Sequence, residues 1–202
     1  FLSYFLQTLY GLAYLFIIGQ FDGVDSITAV SIGSQIMHMI TVMIVGLSMG
    51  ATVCIAQAVG AKDKEKLRYC IGNTVTVFFI VSLILTGLLL FFTDFIVGVV
   101  KTPTEAVAGT KEYLIICFIG IPLITAYNIV SSILRGMGDS KSPMYFIAIA
   151  CVANIILDYV FIGYFKLGAV GAALGTTLSP GISVICALTY INRNNSSDSF
   201  SF

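Results

Sequence analysis

Residues 69–93 read YCIGNTVTVFFIVSLILTGLLLFFT, with no charged side chain from Tyr69 to Thr93. About 20 predominantly apolar residues carry an α-helix across the hydrocarbon core of a bilayer, so this run is a membrane-spanning helix by length and composition. It lies between KDKEKLR on one side and Asp94 on the other, and the same alternation of long uncharged run and short polar connection recurs along the chain. Uncharged runs cover 1–21, 26–61, 69–93, 113–134, 142–157 and 167–192, the fifth continuing through the lone Asp158 to about 165. These runs predict an all-α membrane protein: one transmembrane bundle over 1–202, with helices at about 1–21, 26–59, 69–93, 110–134, 143–165 and 169–192.

Composition agrees with this reading. The chain is 58% hydrophobic and 10% charged, with a mean hydropathy of +1.01, whereas soluble domains carry about a quarter of their residues as charges. A water-soluble domain is excluded, and membrane lipids are the solvent the surface must match. Lys and Arg balance Asp and Glu to a net charge of zero, so no basic field exists to hold nucleic acid. The five cysteines, Cys54, Cys70, Cys117, Cys151 and Cys186, are widely spaced without a CxxC, and they read as small packing residues. Phe1 opens directly on an apolar run with no basic segment before it, so a signal peptide is not expected and the chain is expected to be clipped at its N-terminus.

Charge placement sets the expected orientation. The connection after the second helix carries Lys62, Lys64, Lys66 and Arg68, that after the fourth carries Arg135 and Lys141, and the tail carries Arg193. The opposite side has Lys101, Lys111 and Lys166. The positive-inside rule therefore predicts a multi-pass protein of the cell membrane with both termini in the cytoplasm.

Asp158 is the one acid inside an expected span, and an ionisable group at membrane depth is costly enough that function is its default reading. At 1.5 Å per residue it lies about 10 Å from the outer end of the fifth helix. Asn154 sits one turn earlier on the same face, where an amide can donate to the carboxylate or share a cation with it. On the second helix Ser31, Gln35, His38, Thr41, Ser48 and Thr52 trace a polar stripe that should face the bundle interior or a wet cavity. The first helix presents Gln7, Tyr10 or Gly11, and Tyr14 along one face, and the sixth adds Thr176, Thr177, Ser179 and Ser183. Pro122 and Pro180 interrupt apolar stretches, each expected to kink its helix.

Gly46, Ser48 and Gly50 spell G-x-S-x-G, the pattern of a serine-hydrolase elbow. That elbow needs a strand and a strained turn, whereas Ser48 lies deep in a helical run and the single histidine, His38, is about 15 Å away along the axis. GLSMG reads instead as a GxxxG packing face, and an intramembrane serine protease is the weakest rival. Phosphate-loop, zinc and dinucleotide motifs are missing from the sequence. The chain is expected not to be an enzyme and to need no resident cofactor.

Five stretches in order resemble the multidrug and toxic compound extrusion (MATE) family, its DinF-like branch above all: LQTLYGLAYLFIIGQ, QAVGAKDKEKLR, LRGMGDSKSPM, NIILDYVFIG and LGAVGAALGTTLS. The resemblance implies two six-helix bundles related by a pseudo-two-fold axis along the membrane normal, this chain matching the N-terminal one. It implies exchange of sodium ions or protons for organic cations and other amphipathic drugs. Residue by residue it places the cation site, Na+ included, on Asp158, Asn154 and Thr176, with Gln7 and Tyr10 nearby. Tyr14, Gln35 and His38 complete the expected substrate or coupling cavity. The expected function is cation-coupled antiport of drugs or other organic compounds, with a C-terminal six-helix half or a homodimer partner supplying the second bundle. The rivals are a flippase-type exporter of lipid-linked precursors and an uncoupled channel or scaffold. One position departs from the pattern: where the DinF-like run reads LYGLAD, this chain reads LYGLAY and supplies Tyr14, whose phenol, with a pKa of about 10, cannot replace a titrating carboxylate.

Orientation is open to a direct check. Single cysteines introduced within 62–68 are expected to be shielded from impermeant thiol reagents in intact cells, and those near Thr104 to be labelled; the reverse pattern would invert the topology.

Overall fold

The computed structural model describes the backbone of residues 1–21 and 23–195, and the side chains of these except 3, 4, 7, 10, 14, 21, 194 and 195. Its elements are α1 (Leu2–Phe21), α2 (Val24–Gly60), α3 (Lys64–Phe91), α4 (Thr93–Val99), α5 (Val107–Ile119), α6 (Ile121–Gly136), α7 (Lys141–Asp158), a π-helical turn (Tyr159–Tyr164) and α8 (Ala169–Asn195). The described residues contain no strand. Among the described residues four helices, namely α2, α3, α7 with its π-turn, and α8, are long and apolar enough to cross a membrane, and α5 with α6 passes the same test as a bent pair. In α1 the apolar stretch is the shorter Gly11–Gln20. The chain is a multi-pass, all-α membrane protein; where the sequence predicts six spans, the described residues give four or, with the bent pair, five helices long and apolar enough to cross, and three further local differences follow.

The fourth expected helix is two helices bent by 48° at Gly120. The cause is local: Pro122 sits in the first turn of α6 with no N–H to continue the ladder of α5, so the chain restarts, with Leu123 N donating to the Gly120 carbonyl. Pro180 behaves otherwise and lies inside a continuous α8. The connection expected to be a long loop after α3 contains α4. The fifth expected helix passes from α-type to π-type hydrogen bonding after Asp158, where the π-turn begins.

Two turns flanked by basic residues close by the same device. After α2, Lys62 N donates to the Val59 carbonyl and Asp63 N to the Ala58 carbonyl; after α6, Gly138 N donates to the Arg135 carbonyl and Asp139 N to that of Leu134. Both are Schellman-type ends, which need a left-handed residue, and these are Lys62 (φ 55°) and Gly138 (φ 91°). In each turn the aspartate that follows then caps the next helix: the Asp63 side chain accepts from Lys66 N at 3.1 Å, and Asp139 Oδ1 accepts from Lys141 N at 3.1 Å and Ser142 N at 3.0 Å. The shared Gly, Lys and Asp chemistry of QAVGAKDKEKLR and LRGMGDSKSPM is thus the chemistry of ending one helix and starting another.

The main core runs through α2, α5, α6 and α8, with Ile18 of α1 added, and contains Val30, Leu114, Cys117, Phe118, Ile121 and Ala173. The buried face of α2 is Ala29, Gly33, Ile36, Ile40, Ile44, Ser48, Ile55 and Ala58, spaced three, four or seven apart; its last two members, Ile55 and Ala58, form a second cluster with Leu67 and Cys70 of α3. Large apolar side chains such as Leu83, Ile84 and Leu88 on α3 point outward, as they must where the surrounding solvent is lipid.

Burial works to raise the Asp139 carboxyl, but hydrogen bonds from Ser142 and Lys141 and the Lys141 charge outweigh it and hold the group below its ordinary value. Its cap is therefore complete above the ordinary carboxylate value of about 4 and is lost as pH falls through the lowered pKa. Asp139→Ala is expected to destabilise the chain by about 0.5–2 kcal/mol at neutral pH. Measured by thermal unfolding in detergent, its deficit relative to the parent should shrink in acid; a deficit independent of pH would remove the carboxylate from this role.

Candidate functional site

Asp158 is the last residue of α7 and is 1% exposed; Asn154, one turn earlier, is 4% exposed. The Oδ1 atoms of both are buried without a hydrogen-bond partner. Buried polar atoms in folded proteins are satisfied with few exceptions, because desolvation without a partner costs about 1–3 kcal/mol or more. Two such oxygens on one helical face are therefore acceptors suited to a proton or a cation.

The opposite wall is α8, brought close by small residues. A side chain on Gly175 would fall against Asp158 Oδ1, and one on Gly171 would meet Phe161 and Ile162 of the π-turn at 3.1–3.2 Å. Gly171 and Gly175 are a GxxxG pair that permits near contact of the two backbones. The π-turn, which widens the helix directly after Asp158, belongs to the same seam; such turns are frequent at functional sites.

Beside this seam lies a cavity of about 170 Å3 lined by Thr41, Asn128, Asn154, Thr176, Ser179 and Pro180 among others. Asn154 and Thr176 thus meet at one space, and Asp158 lies one turn from it, outside its lining. Thr176 Oγ1 and Ser179 Oγ donate within α8, to the Ala172 carbonyl at 2.9 Å and the Gly175 carbonyl at 2.5 Å, leaving their lone pairs available. Pro180, having no N–H, leaves the Thr176 carbonyl without its i+4 donor. Sequence reasoning missed Asn128 and Tyr127, both on α6, because a helix broken at Gly120 has no readable face until its bend is known. It also missed Gly175, although the GxxxG spacing with Gly171 was there to read.

The described residues hold no group of three or more His, Cys, Asp or Glu placed to bind a metal. One carboxyl with neutral oxygens suits a proton or a monovalent cation; divalent ions such as Ca2+ take about 6–8 oxygen ligands, several of them usually carboxylates. At about 30 Å3 per water, the cavity has room for an ion with a few waters, and it is smaller than the roughly 300–1,000 Å3 of drug-sized sites.

The family model MatE matches residues 1–160. The chain belongs to the MatE family. It is 31% identical over 196 residues to "Probable multidrug resistance protein YoeA" of Bacillus subtilis (strain 168), covering 95% of this chain and 42% of that protein. Among solved structures it resembles a multidrug resistance MATE family transporter of the MOP superfamily in its outward-facing conformation, with a TM-score of 0.87 and 28% identity over 94% of this chain and 42% of that one. The inward-facing conformation of such a transporter matches with a TM-score of 0.84 and 30% identity over 91% of this chain and 42% of that one. The chain spans about two fifths of the length of these relatives, which are named as resistance proteins and transporters and not as enzymes.

Within this MatE bundle the other expected site residues fall apart. Gln35 and His38 are exposed and do not line the cavity, so the α2 stripe does not face the interior as a unit. The reason is phase: each is one residue from the buried Ile36 or Met37, a turn of about 100° around the helix. Only the second half of the stripe faces inward, where Thr41 lines the cavity, Ser48 is buried and Thr52 donates to the Ser132 carbonyl at 3.3 Å. The GLSMG packing reading is likewise corrected: a methyl group placed on Gly46 or Gly50 would have no neighbour within 4 Å, and the close helix contacts lie at other glycines, among them Gly33, Gly120, Gly136, Gly171 and Gly175. Ser48 donates to the Val45 carbonyl at 2.8 Å within an unbroken α2, so no elbow exists. Gln7, Tyr10 and Tyr14 lie on α1, and their side chains are outside the described residues.

Gly175→Ala is expected to destabilise the bundle by about 1–3 kcal/mol through overpacking against Asp158. Gly181→Ala on the same helix, where the added methyl meets Leu123 at 3.5 Å or more, should be neutral or stabilising. Equal thermal stabilities of the two variants would show that the seam is looser than described.

Proposed function

We propose that the chain is the N-terminal bundle of a cation-coupled antiporter that exports drugs or other organic compounds across the cell membrane, with both termini in the cytoplasm. The observation that carries this reading is the pair of unpartnered, buried oxygens on Asp158 and Asn154 beside an ion-sized cavity. Asp158 alternates between an ionised state and a protonated or Na+-bound state. Asn154 and Thr176 supply neutral oxygens to the bound cation.

The charge change acts through the glycine seam. With Gly175 against the carboxyl, a proton or cation at Asp158 alters what α8 must accommodate, and the packing of α7 on α8 is the element it biases. Substrate binds elsewhere, between this bundle and a second one. The exposed α2 face bearing Gln35, His38, Met39, Met43 and Met49 forms one wall; methionine suits a surface that adapts to varied ligands. A C-terminal six-helix half or a second copy of the chain provides the opposite wall, and rocking of one bundle against the other gives alternating access.

In proteoliposomes holding this chain with its second bundle, Asp158→Asn keeps the side-chain size and removes the titratable charge. Ion-driven drug export is expected to fall by about tenfold or more, the scale of a coupling energy of about 1–3 kcal/mol, while equilibrium drug binding persists. Tyr14→Asp should alter the pH or sodium dependence. Export by Asp158→Asn at the parental rate with the parental ion dependence would make Asp158 a structural residue and end this reading.

A further inference from the structure

The five cysteines do not all behave as packing residues. Cys117 and Cys151 are buried in the bundle, but Cys54 on α2 is exposed and its Sγ lies 2.6 Å from Sγ of Cys70 on α3. The sequence hid the pair because the two are 16 residues apart on different helices. The fold brings them together through the turn between α2 and α3, fixed by the left-handed Lys62 and the Asp63 cap. Both thiols line an open cavity of about 560 Å3 together with Lys66, Tyr69 and Asn73. A small reagent can therefore reach Cys54, and the buried Cys70 lies within reach of the Cys54 sulfur.

We propose that Cys54 and Cys70 are a reversible dithiol modification site whose reagents are low-molecular-weight disulfides. The exposed Cys54 thiolate attacks one sulfur of the reagent, forming a mixed disulfide and releasing one reagent thiolate. The Cys70 thiol then gives its proton to solvent and attacks the Cys54 sulfur, forming the Cys54–Cys70 bond and releasing the second reagent thiolate. Two protein thiols are oxidised by two electrons, and the reagent's disulfide is reduced to two thiols. The product is a covalent strap between α2 and α3 that stops one sliding along the other beside the cavity.

The purified chain, folded in detergent, is incubated with oxidised glutathione, then unfolded, alkylated with N-ethylmaleimide, digested and weighed. The expected result is a loss of about 2 Da in a cross-linked peptide joining residues 54 and 70, reversed by dithiothreitol, with Cys117, Cys151 and Cys186 alkylated. Cys54→Ser should abolish the cross-link and leave Cys70 alkylated. Full alkylation of both Cys54 and Cys70 after oxidation, or cross-links spread among other cysteines, would overturn the proposal. Failure here leaves the Asp158 reading untouched, because neither thiol is near that seam.

Discussion

A carboxyl group held almost out of contact with solvent, with one oxygen unpartnered, is the constraint around which this bundle is arranged. Desolvation makes such a group costly, so the helices that hold it must derive their stability elsewhere. For α8 the source is the core it shares with α2, α5 and α6, and α7 packs on α8 and α1 and adds Phe146 to a smaller cluster with Leu134 and Ala187. The seam between α7 and α8 can then remain tight in backbone and unsatisfied in polar atoms. Gly171 and Gly175 make it tight; the π-turn after Asp158 adjusts the direction of the chain where the seam ends.

Much of this was legible in the sequence, and for definite reasons. Uncharged runs reveal spans because lipid penalises charge along the whole length of a helix, so Tyr69–Thr93 and its counterparts locate elements without knowledge of their neighbours. Asp158 and Asn154 were legible for the same reason, as exceptions to that penalty. The faces of α2 were not. In a soluble helix polarity marks the outside, but here apolar residues cover both the core face and the outer face, so the polar stripe carried no reliable phase. Gln35 and His38 lie outside the bundle interior for that reason, and Gly46 and Gly50 with them. Only tertiary packing distinguishes them from Ile36, Ile40 and Ile44.

Local chemistry was legible where it acts within a few residues. The turns after α2 and α6 follow from a left-handed residue and a capping aspartate, both within five residues of the helix end. The bend at Gly120 follows from Pro122, but the identical residue type at Pro180 leaves α8 continuous. Both prolines lack an N–H. The difference is one of place: Pro122 falls at the junction where the ladder of α5 stops and α6 starts, whereas Pro180 falls within α8, whose helix continues although the Thr176 carbonyl lacks its i+4 donor.

The magnitudes separate the two tasks that the proposed antiport would require. A space of about 170 Å3 beside Asn154 and Thr176 accommodates a cation with a few waters and excludes a drug-sized molecule. On the proposed reading, ion and substrate therefore do not compete for the same atoms within this bundle. On that reading coupling passes through helix packing, and α8 is the element suited to carry it, since it meets Asp158 at Gly175 and also packs on α5 and α6. The likeness of the bundle to transporters in both outward-facing and inward-facing conformations fits a lobe that moves largely as a unit. On the proposed reading, a small change at one buried carboxyl would then be expressed as a change in how the whole lobe sits against a second bundle.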